Sequence, residues 1–339
     1  MNRILFWGAG NTTKLFMKLI DMEKNQIVGI VDNRKDAFFP GYTTMLPEKI
    51  QECAYDLLIV CSRADIEILW QCRELGIKNC YSHRNKEKIY NEYPELFLHP
   101  NKVIEGEYRQ ELEWQNQSLL KELLWSNVFH DTVSTYEWFN VKSLSLGRSA
   151  IGYNFAYVIS RILQNMHPTK ILEFGLGQSS KIVSSYFQYY KKEGMVYDLV
   201  EHDPSWADFF SIENDMKDVK IHIKDISIHE KYHDRFYMYD DLDEILKGKK
   251  YQLIAIDGPY GYSSKYISRI DMLAYIPDVL ETDWVILMDD YNRVSEKNAI
   301  MLFEKKLKEK NIIYYKGIYR GESDVCILAS EKWKFFRTL

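Results

Sequence analysis

The sequence predicts an α/β chain with two parallel-sheet domains joined by a helical connector. Three observations predict it. Ile171 to Phe174 reads as a short buried strand that runs through Glu173 into the turn Gly175-Leu-Gly177, with a helix from Ser179 to about Tyr190 behind it. A second strand, Tyr197 to Asp203, follows and carries an acid, Glu201, near its end. Near the start of the chain, Arg3 to Trp7 runs into Gly8-Ala-Gly10, a helix begins at Asn11, and the strand Ile27–Asp32 ends in an acid. Strand, glycine turn, helix, strand, acid is the layout that sets a nucleoside against free N–H groups at a helix start. The glycines let the backbone pass close to a ligand.

Length and composition bound the reading. The 339 residues suffice for two ordinary domains. A hydrophobic share of 46% and a charged share of 27% describe a soluble globular chain. The 25 tyrosines suit either a stacking or sugar-binding surface or plain compositional drift. A net charge of −5 argues against a general nucleic-acid binder, and the basic runs at 247–250 and 305–310 read as solvated faces. Cys53, Cys61, Cys72, Cys80 and Cys326 form no C-x-x-C pair and read as small buried residues of a reducing compartment. Met1-Asn-Arg enters a strand directly, without a signal-peptide pattern, and no apolar run approaches the about 18 residues that span a bilayer. The expected location is the cytoplasm.

Residues 1–98 form the first expected domain. After the strand ending in Asp32, Tyr55–Cys61 is a third strand, Ile66–Leu75 a helix closed by Gly76, and Asn79–Tyr81 a fourth strand. Asp32 stands about where a ribose-binding acid would, but Thr13 occupies the third glycine position, which weakens a pyrophosphate reading. Gly8-Ala-Gly10, Val31-Asp32-Asn33 and Pro40-Gly41 before Thr43–Leu46 resemble the small Rossmann-like domains that accompany sugar-modifying enzymes. That resemblance makes residues 8–13 and Asp32 a candidate nucleotide-sugar site. The other reading is a structural or oligomerisation module, with a homo-oligomer as its product. Residues 99–165 form the connector and a segment expected to fold over a ligand. It holds an amphipathic helix, Glu107–Leu124, with Leu112, Leu119, Leu120 and Leu123 on one side. Arg148, Ser149, Tyr153 and Asn154, before a helix at 155–163, are candidate pocket residues, with helix capping as the alternative.

From residue 166 onward, strands at 171–174, 197–201, 219–223, 252–257, 284–289, 311–316 and 323–329 alternate with helices. Glu173-Phe-Gly-Leu-Gly177, Val200-Glu-His-Asp203, Lys224-Asp225 and Leu253 to Pro259 stand in the order and spacing that resembles a class I S-adenosylmethionine-dependent methyltransferase. The resemblance covers about 160 residues. It implies seven strands, the last antiparallel, with the cofactor across the C-terminal strand ends. It further implies Gly175 and Gly177 beside the methionine part, with Glu173 near its amino group and Ser179 at the helix start. Glu201 would meet the ribose hydroxyls, Asp225 and Ile226 the adenine, and His202 and Tyr153 the surrounding shell. Asp203, Pro204 and Trp206 suggest a turn near the same ring.

Asp257 ends the fourth strand and Asp289-Asp290 the fifth, so three carboxylates converge on one edge of the site. Like charges so close need a cation, a shared proton or a catalytic use. The same positions in catechol-type and several sugar O-methyltransferases hold a divalent metal. Asp257, Asp289 and Asp290 are therefore candidate ligands of Mg or Mn; alternatively Asp257 or Asp290 acts as a general base, or the three only cap strand ends. The loop Gly258–Tyr266 offers Tyr260 and Tyr262 to stack on a sugar, with Lys265, Arg269 or Arg293 for an anionic group. His229-x-x-x-His233 has metal-like spacing but no third ligand. The motif set also resembles bacterial surface-glycan methyltransferases and plant glucuronoxylan O-methyltransferases. The implied reaction is methyl transfer to a hydroxyl of a sugar or sugar-nucleotide in surface-glycan biosynthesis. The rivals are an N-methyltransferase, an aminopropyltransferase (whose Gly-Gly-Gly-Asp-Gly turn is missing here) and a non-catalytic subunit that binds a nucleotide-sugar or the cofactor.

Overall fold

The computed structural model spans residues 1–339 and describes all except 63, 148, 149, 215, 217, 232, 233, 262 and 263, and the side chains of 100–115 and 213. The chain divides into two compact units, Met1–Trp114 and Gln115–Leu339.

The first unit carries β1 (Asn2–Trp7), α1 (Asn11–Met17), β2 (Asn25–Val31), β3 (Thr44–Met45), β4 (Leu57–Val60), α2 (Asp65–Glu74), β5 (Cys80–Ser82) and α3 (Lys86–Glu92). Its sheet has the order β3-β2-β1-β4-β5, parallel throughout. Alternate residues of β1 serve opposite faces. Ile4 and Phe6 pack with Phe16, Ile20 and Ile27, while Leu5 and Trp7 pack with Val31, Ile50 and Ile68. Both faces are covered, so the strand reads as an unbroken apolar run. All five cysteines are free; Cys72 on α2 and Cys80 on β5 bring their sulfurs to 3.1 Å.

α4 (Pro100–Val133) is one helix, longer at both ends than its amphipathic stretch suggests. Ser118, Glu122, Phe129 and Val133 are buried, and Leu119, Leu120 and Leu123 are exposed.

The second unit continues with α5 (Tyr153–Met166), β6 (Lys170–Phe174), α6 (Gln178–Tyr190), β7 (Val196–Glu201), α7 (Pro204–Glu213), β8 (Lys220–Ile223), β9 (Ile226–Lys231), β10 (Asp234–Tyr239) and α8 (Asp243–Leu246). It closes with β11 (Tyr251–Ile256), β12 (Leu280–Met288), α9 (Val294–Glu309), β13 (Tyr315–Tyr319) and β14 (Val325–Ala329). Seven of these strands form one sheet in the order β13-β14-β12-β11-β6-β7-β8. β14 runs antiparallel to both β12 and β13, and the other pairs are parallel. This is the seven-stranded sheet with an antiparallel last strand that the sequence motifs imply. Its order reverses beside β6, the switch point at which open α/β sheets bind ligands outside their C-terminal strand ends.

Two elements depart from expectation. The sixth strand begins at Tyr315 rather than at 311, because residues up to Asn311 finish the last turn of α9. β9 and β10 form an antiparallel hairpin between 223 and 252, where no strand was expected. β9 has no buried residue, so it lacks the apolar alternation that marks a strand.

Asp198 shows how β7, next to the edge strand β8, is held. It is fully buried on β7 and accepts from His222 Nε2 at 2.6 Å, Tyr251 Oη at 2.7 Å and Lys249 Nζ at 2.9 Å. Burial alone would raise its pKa, but the His222, Tyr251 and Lys249 hydrogen bonds outweigh it and bring the carboxyl down to about 2. Among the described residues no helix is long and apolar enough to cross a membrane. Asp198→Ala strands three donors and is expected to lower unfolding stability by about 2 kcal/mol, read by urea denaturation at neutral pH. Because the folded pKa is depressed, Asp198 stabilises above its ordinary pKa, and that contribution fades as pH falls toward 2.

Candidate functional site

A cavity of about 640 Å³ opens at the C-terminal ends of β6, β7 and β11. That size lies within the about 300–1,000 Å³ usual for small-molecule sites. Its floor is the glycine turn. Gly175 has φ +94°, and a Cβ there would stand 3.1 Å from Asp257 C and Gly258 N. A Cβ at Gly177 would meet nothing within 4 Å, so this glycine opens onto free space.

Glu201 forms one wall. Its Oε2 accepts the Leu176 N–H at 2.9 Å, and its Oε1 accepts the N–H groups of His202 at 2.6 Å and Asp203 at 2.9 Å. A carboxylate has about four acceptor positions, and these three N–H groups fill three of them. Burial pushes Glu201 up, but the His202 ring and the three N–H groups hold it below its ordinary value. His202 Nδ1 lies 2.7 Å from Glu201 Oε1 without hydrogen-bond alignment, and both ring nitrogens are buried with no hydrogen-bond partner. The Tyr260 ring stands edge-on to it at 4.3 Å between centroids. Trp206 is set by the Asp203 N-cap of α7 and donates from Nε1 to Leu176 O at 2.8 Å.

The opposite wall is charged. Asp257 and Asp290 line the cavity together with Arg269 and Arg293. Arg269 Nη2 lies 3.1 Å from Asp257 Oδ1 and 3.1 Å from Asp290 Oδ2, and Arg293 Nη1 lies 2.7 Å from Asp290 Oδ2. Ser323 Oγ donates to Asp290 Oδ1 at 3.0 Å, and the Ser323 carbonyl is held by Asn154 Nδ2 at 2.6 Å. Burial raises the Asp257 carboxyl to about 6, with Arg269 working against the rise and Asp290 adding to it. Asp289 is buried beside them. Burial and the Asp257 and Asp290 charges push its carboxyl well above the usual range, and its Oδ1 has no hydrogen-bond partner. Ligand oxygens of Asp257, Asp289 and Asp290 lie within 4.8 Å of one another.

Of the expected contacts, Gly175, Gly177, Glu201, His202, Trp206, Asp257, Asp290, Tyr260, Arg269 and Arg293 line this cavity. Several others do not line it. Glu173 is buried beneath the turn and accepts from Ser179 Oγ and Tyr197 Oη, so neither Glu173 nor Ser179 faces the cavity. Tyr153 gives its N–H to Glu122 and packs its ring against Phe129 and His130. Asp225 is exposed at the turn into the hairpin, and Ile226 begins β9. Lys265 is exposed and outside the wall, and His229 is exposed on β9. Tyr262, Arg148, Ser149 and His233 lie outside the described residues. Sequence reasoning missed Tyr239, which comes from the unforeseen hairpin, and Glu296, fully buried behind Arg269. An acid in the first turn of α9 was the only signal for Glu296, and ordinary helix starts carry it too.

In the first unit the glycine turn is closed on itself. Asp32 Oδ2 accepts the Ala9 N–H at 2.8 Å, its Oδ1 accepts from Arg34 N and Nε at 3.0 Å each, and Thr13 Oγ donates to Gly8 O.

A family model described as "C2185-like, N-terminal" matches residues 1–81. No curated protein matches the chain. Among solved structures, an O-methyltransferase from Bacillus cereus in complex with SAH is 14% identical with a TM-score of 0.40, covering 64% of this chain and 100% of that one. TomG, an O-methyltransferase from Streptomyces achromogenes in complex with SAM, is 12% identical with a TM-score of 0.39, covering 64% and 98%. Methyltransferase FkbM from Methylobacillus flagellatus KT is 10% identical with a TM-score of 0.33, covering 97% and 90%. Likenesses at this level carry no argument for activity.

The Glu173 environment makes a checkable prediction. Burial raises its carboxyl from 4.5 to about 7, against the Ser179 and Tyr197 hydrogen bonds. A raised folded pKa means the contribution is complete below the unfolded pKa and is lost as pH rises through the folded one. Stability should therefore fall by up to ~3 kcal/mol between those two pH values, a slope that Glu173→Gln removes in denaturant titrations.

Proposed function

We propose that this chain is an S-adenosylmethionine-dependent O-methyltransferase that acts on a hydroxyl of a sugar or sugar-nucleotide. The observation that carries the reading is the convergence of Asp257 and Asp290 on the cavity that also holds the Gly175–Gly177 turn and Glu201. The cofactor fits this cavity on three features of the chain. They are the open space at Gly177, the free acceptor position on Glu201 and the unpartnered His202 ring nitrogens. When bound, S-adenosylmethionine supplies an electrophilic methyl group on a sulfonium.

The protein's part is positioning and proton handling. The Gly175–Gly177 backbone admits a ligand too close for any Cβ. Glu201 takes a ribose hydroxyl, and His202, Trp206, Tyr239 and Tyr260 wall off an aromatic ring. Asp257 and Asp290 accept the hydrogen of the acceptor hydroxyl and align its oxygen. Arg293, partly exposed at the rim, meets an anionic group on the acceptor.

A divalent cation at Asp257, Asp289 and Asp290 is the second reading, favoured by their 4.8 Å grouping and the orphaned Asp289 Oδ1. The donor set suits Mg or Mn in type. The fit is incomplete, because the Arg269 guanidinium already stands between Asp257 and Asp290.

The test is mass spectrometry of the protein incubated with isotope-labelled S-adenosylmethionine and a pool of sugar nucleotides. Label on a sugar-nucleotide supports the reading; label on an amine instead selects N-methylation. Asp257→Asn and Asp290→Asn should leave cofactor affinity within about threefold and lower transfer at least about 100-fold. Cofactor binding without transfer by the wild type to any acceptor in the pool would favour a binding subunit.

A further inference from the structure

Three carboxylates grouped within 4.8 Å need positive charge near them. The chain supplies it from a loop. Arg269 lies in the loop between β11 and β12, not on a strand end, and its side chain is 5% exposed. Its φ is +53°, a left-handed conformation that costs a non-glycine residue energy, and Asp290 opposite has φ +58°. Two strained residues thus face each other across one ion pair.

The guanidinium is held on every side. Nη2 reaches Asp257 Oδ1 and Asp290 Oδ2, each at 3.1 Å. Nε donates to the Pro259 carbonyl at 3.3 Å, and Nη1 to the Asp289 carbonyl at 3.5 Å. Glu296 Oε1 lies 3.9 Å from Nε. Glu296 is fully buried and accepts from Ser268 and Ser295 as well. A divalent ion would need an oxygen from each carboxylate at the about 2.0–2.6 Å of hard-cation bonds, and Nη2 already holds one oxygen of Asp257 and one of Asp290. Swinging Arg269 aside would leave the buried Glu296 with Arg293 as its guanidinium, at the same 3.9 Å but 41% exposed. Losing the buried one of two cations beside a buried carboxyl group is destabilising.

We propose that Arg269 is the resident cation of this carboxylate cluster, standing where a divalent metal would otherwise sit, so that chemistry at the site needs no metal. The last clause rests on the methyl-transfer reading; the placement of the cation does not. Arg269 acts through Asp257 and Asp290, as a positioning residue that keeps both carboxylates aimed at the cavity.

The experiment uses the full chain, stripped with a chelator and titrated with Mn2+ while the free ion is followed by electron paramagnetic resonance. Wild type and Arg269→Lys should leave the free Mn2+ signal unchanged. Arg269→Ala should take up one Mn2+ per chain, and Asp289→Asn in that background should abolish the uptake. Stoichiometric uptake by the wild type overturns the proposal, as does a folded Arg269→Ala that takes up none. If near-ultraviolet circular dichroism shows Arg269→Ala unfolded, wild type and Arg269→Lys decide alone. In the activity arm, chelation should change wild-type transfer by less than about twofold, whereas metal-assisted enzymes lose activity outright. Mn2+ should restore transfer to Arg269→Ala by about tenfold. Should no acceptor be methylated at all, the Mn2+ titration still reads the cation, so the two failures are distinguishable.

Discussion

Everything at the site depends on two glycines that meet where β6 and β11 end. A Cβ on Gly175 would press on the Asp257–Gly258 peptide, and a Cβ on Gly258 would stand 2.9 Å from Gly175 N and 2.6 Å from Tyr239 Oη. The backbones therefore touch with no side chain between them. The contact continues the ladder of the sheet by one residue past each strand. Gly175 N bonds to Val200 O, Asp257 N to Phe174 O and Asp289 N to Ile256 O, at 2.9 to 3.0 Å. Phe174, Ile256 and Met288 are in register across the sheet, so the residues after them, Gly175, Asp257 and Asp289, stand side by side. Parallel register turns three separate stretches of sequence into one row of groups.

That row was legible in the sequence because each member follows directly from a strand end. The limits of legibility have the same origin. Glu173 was expected at the ligand, yet it is one residue short of the end of β6. Side chains alternate along a strand, so it points under the sheet, where Ser179 and Tyr197 receive it. Asp225 was placed just after the third strand, and β8 does end at Ile223, but the chain then turns at once into a hairpin that was not foreseen. Tyr239 then fills part of the space beside His202 from an element that the pattern of its residues did not announce. Arg269 and Glu296 come from a loop and a helix, with no strand register to place them. The seven strands and the antiparallel last one were recoverable; the charge partners of the carboxylates were not.

The chain contains the same construction twice, which separates what a glycine turn does from what a site needs. In the first unit Trp7 pairs with Val60, and the residues after them are Gly8 and Cys61. In the second, Phe174 pairs with Ile256, and the residues after them are Gly175 and Asp257. Both turns bring a glycine with positive φ onto the neighbouring strand end: a Cβ on Gly8 would lie 2.5 Å from Cys61 O. Both give the N–H of the middle residue to the acid of the next strand, Ala9 to Asp32 and Leu176 to Glu201. The turn and its acid are therefore common to both units and do not by themselves make a reactive centre. The difference lies in the residue beside the glycine. Cys61 is buried, and burial pushes its thiol up to about 12, so it stays protonated near neutrality. Asp257 presents a carboxylate at the equivalent place, with Asp290 and a guanidinium next to it. The residue after the neighbouring strand is a buried thiol in the first unit and a carboxyl group in the second, and the proposed chemistry rests on that carboxyl.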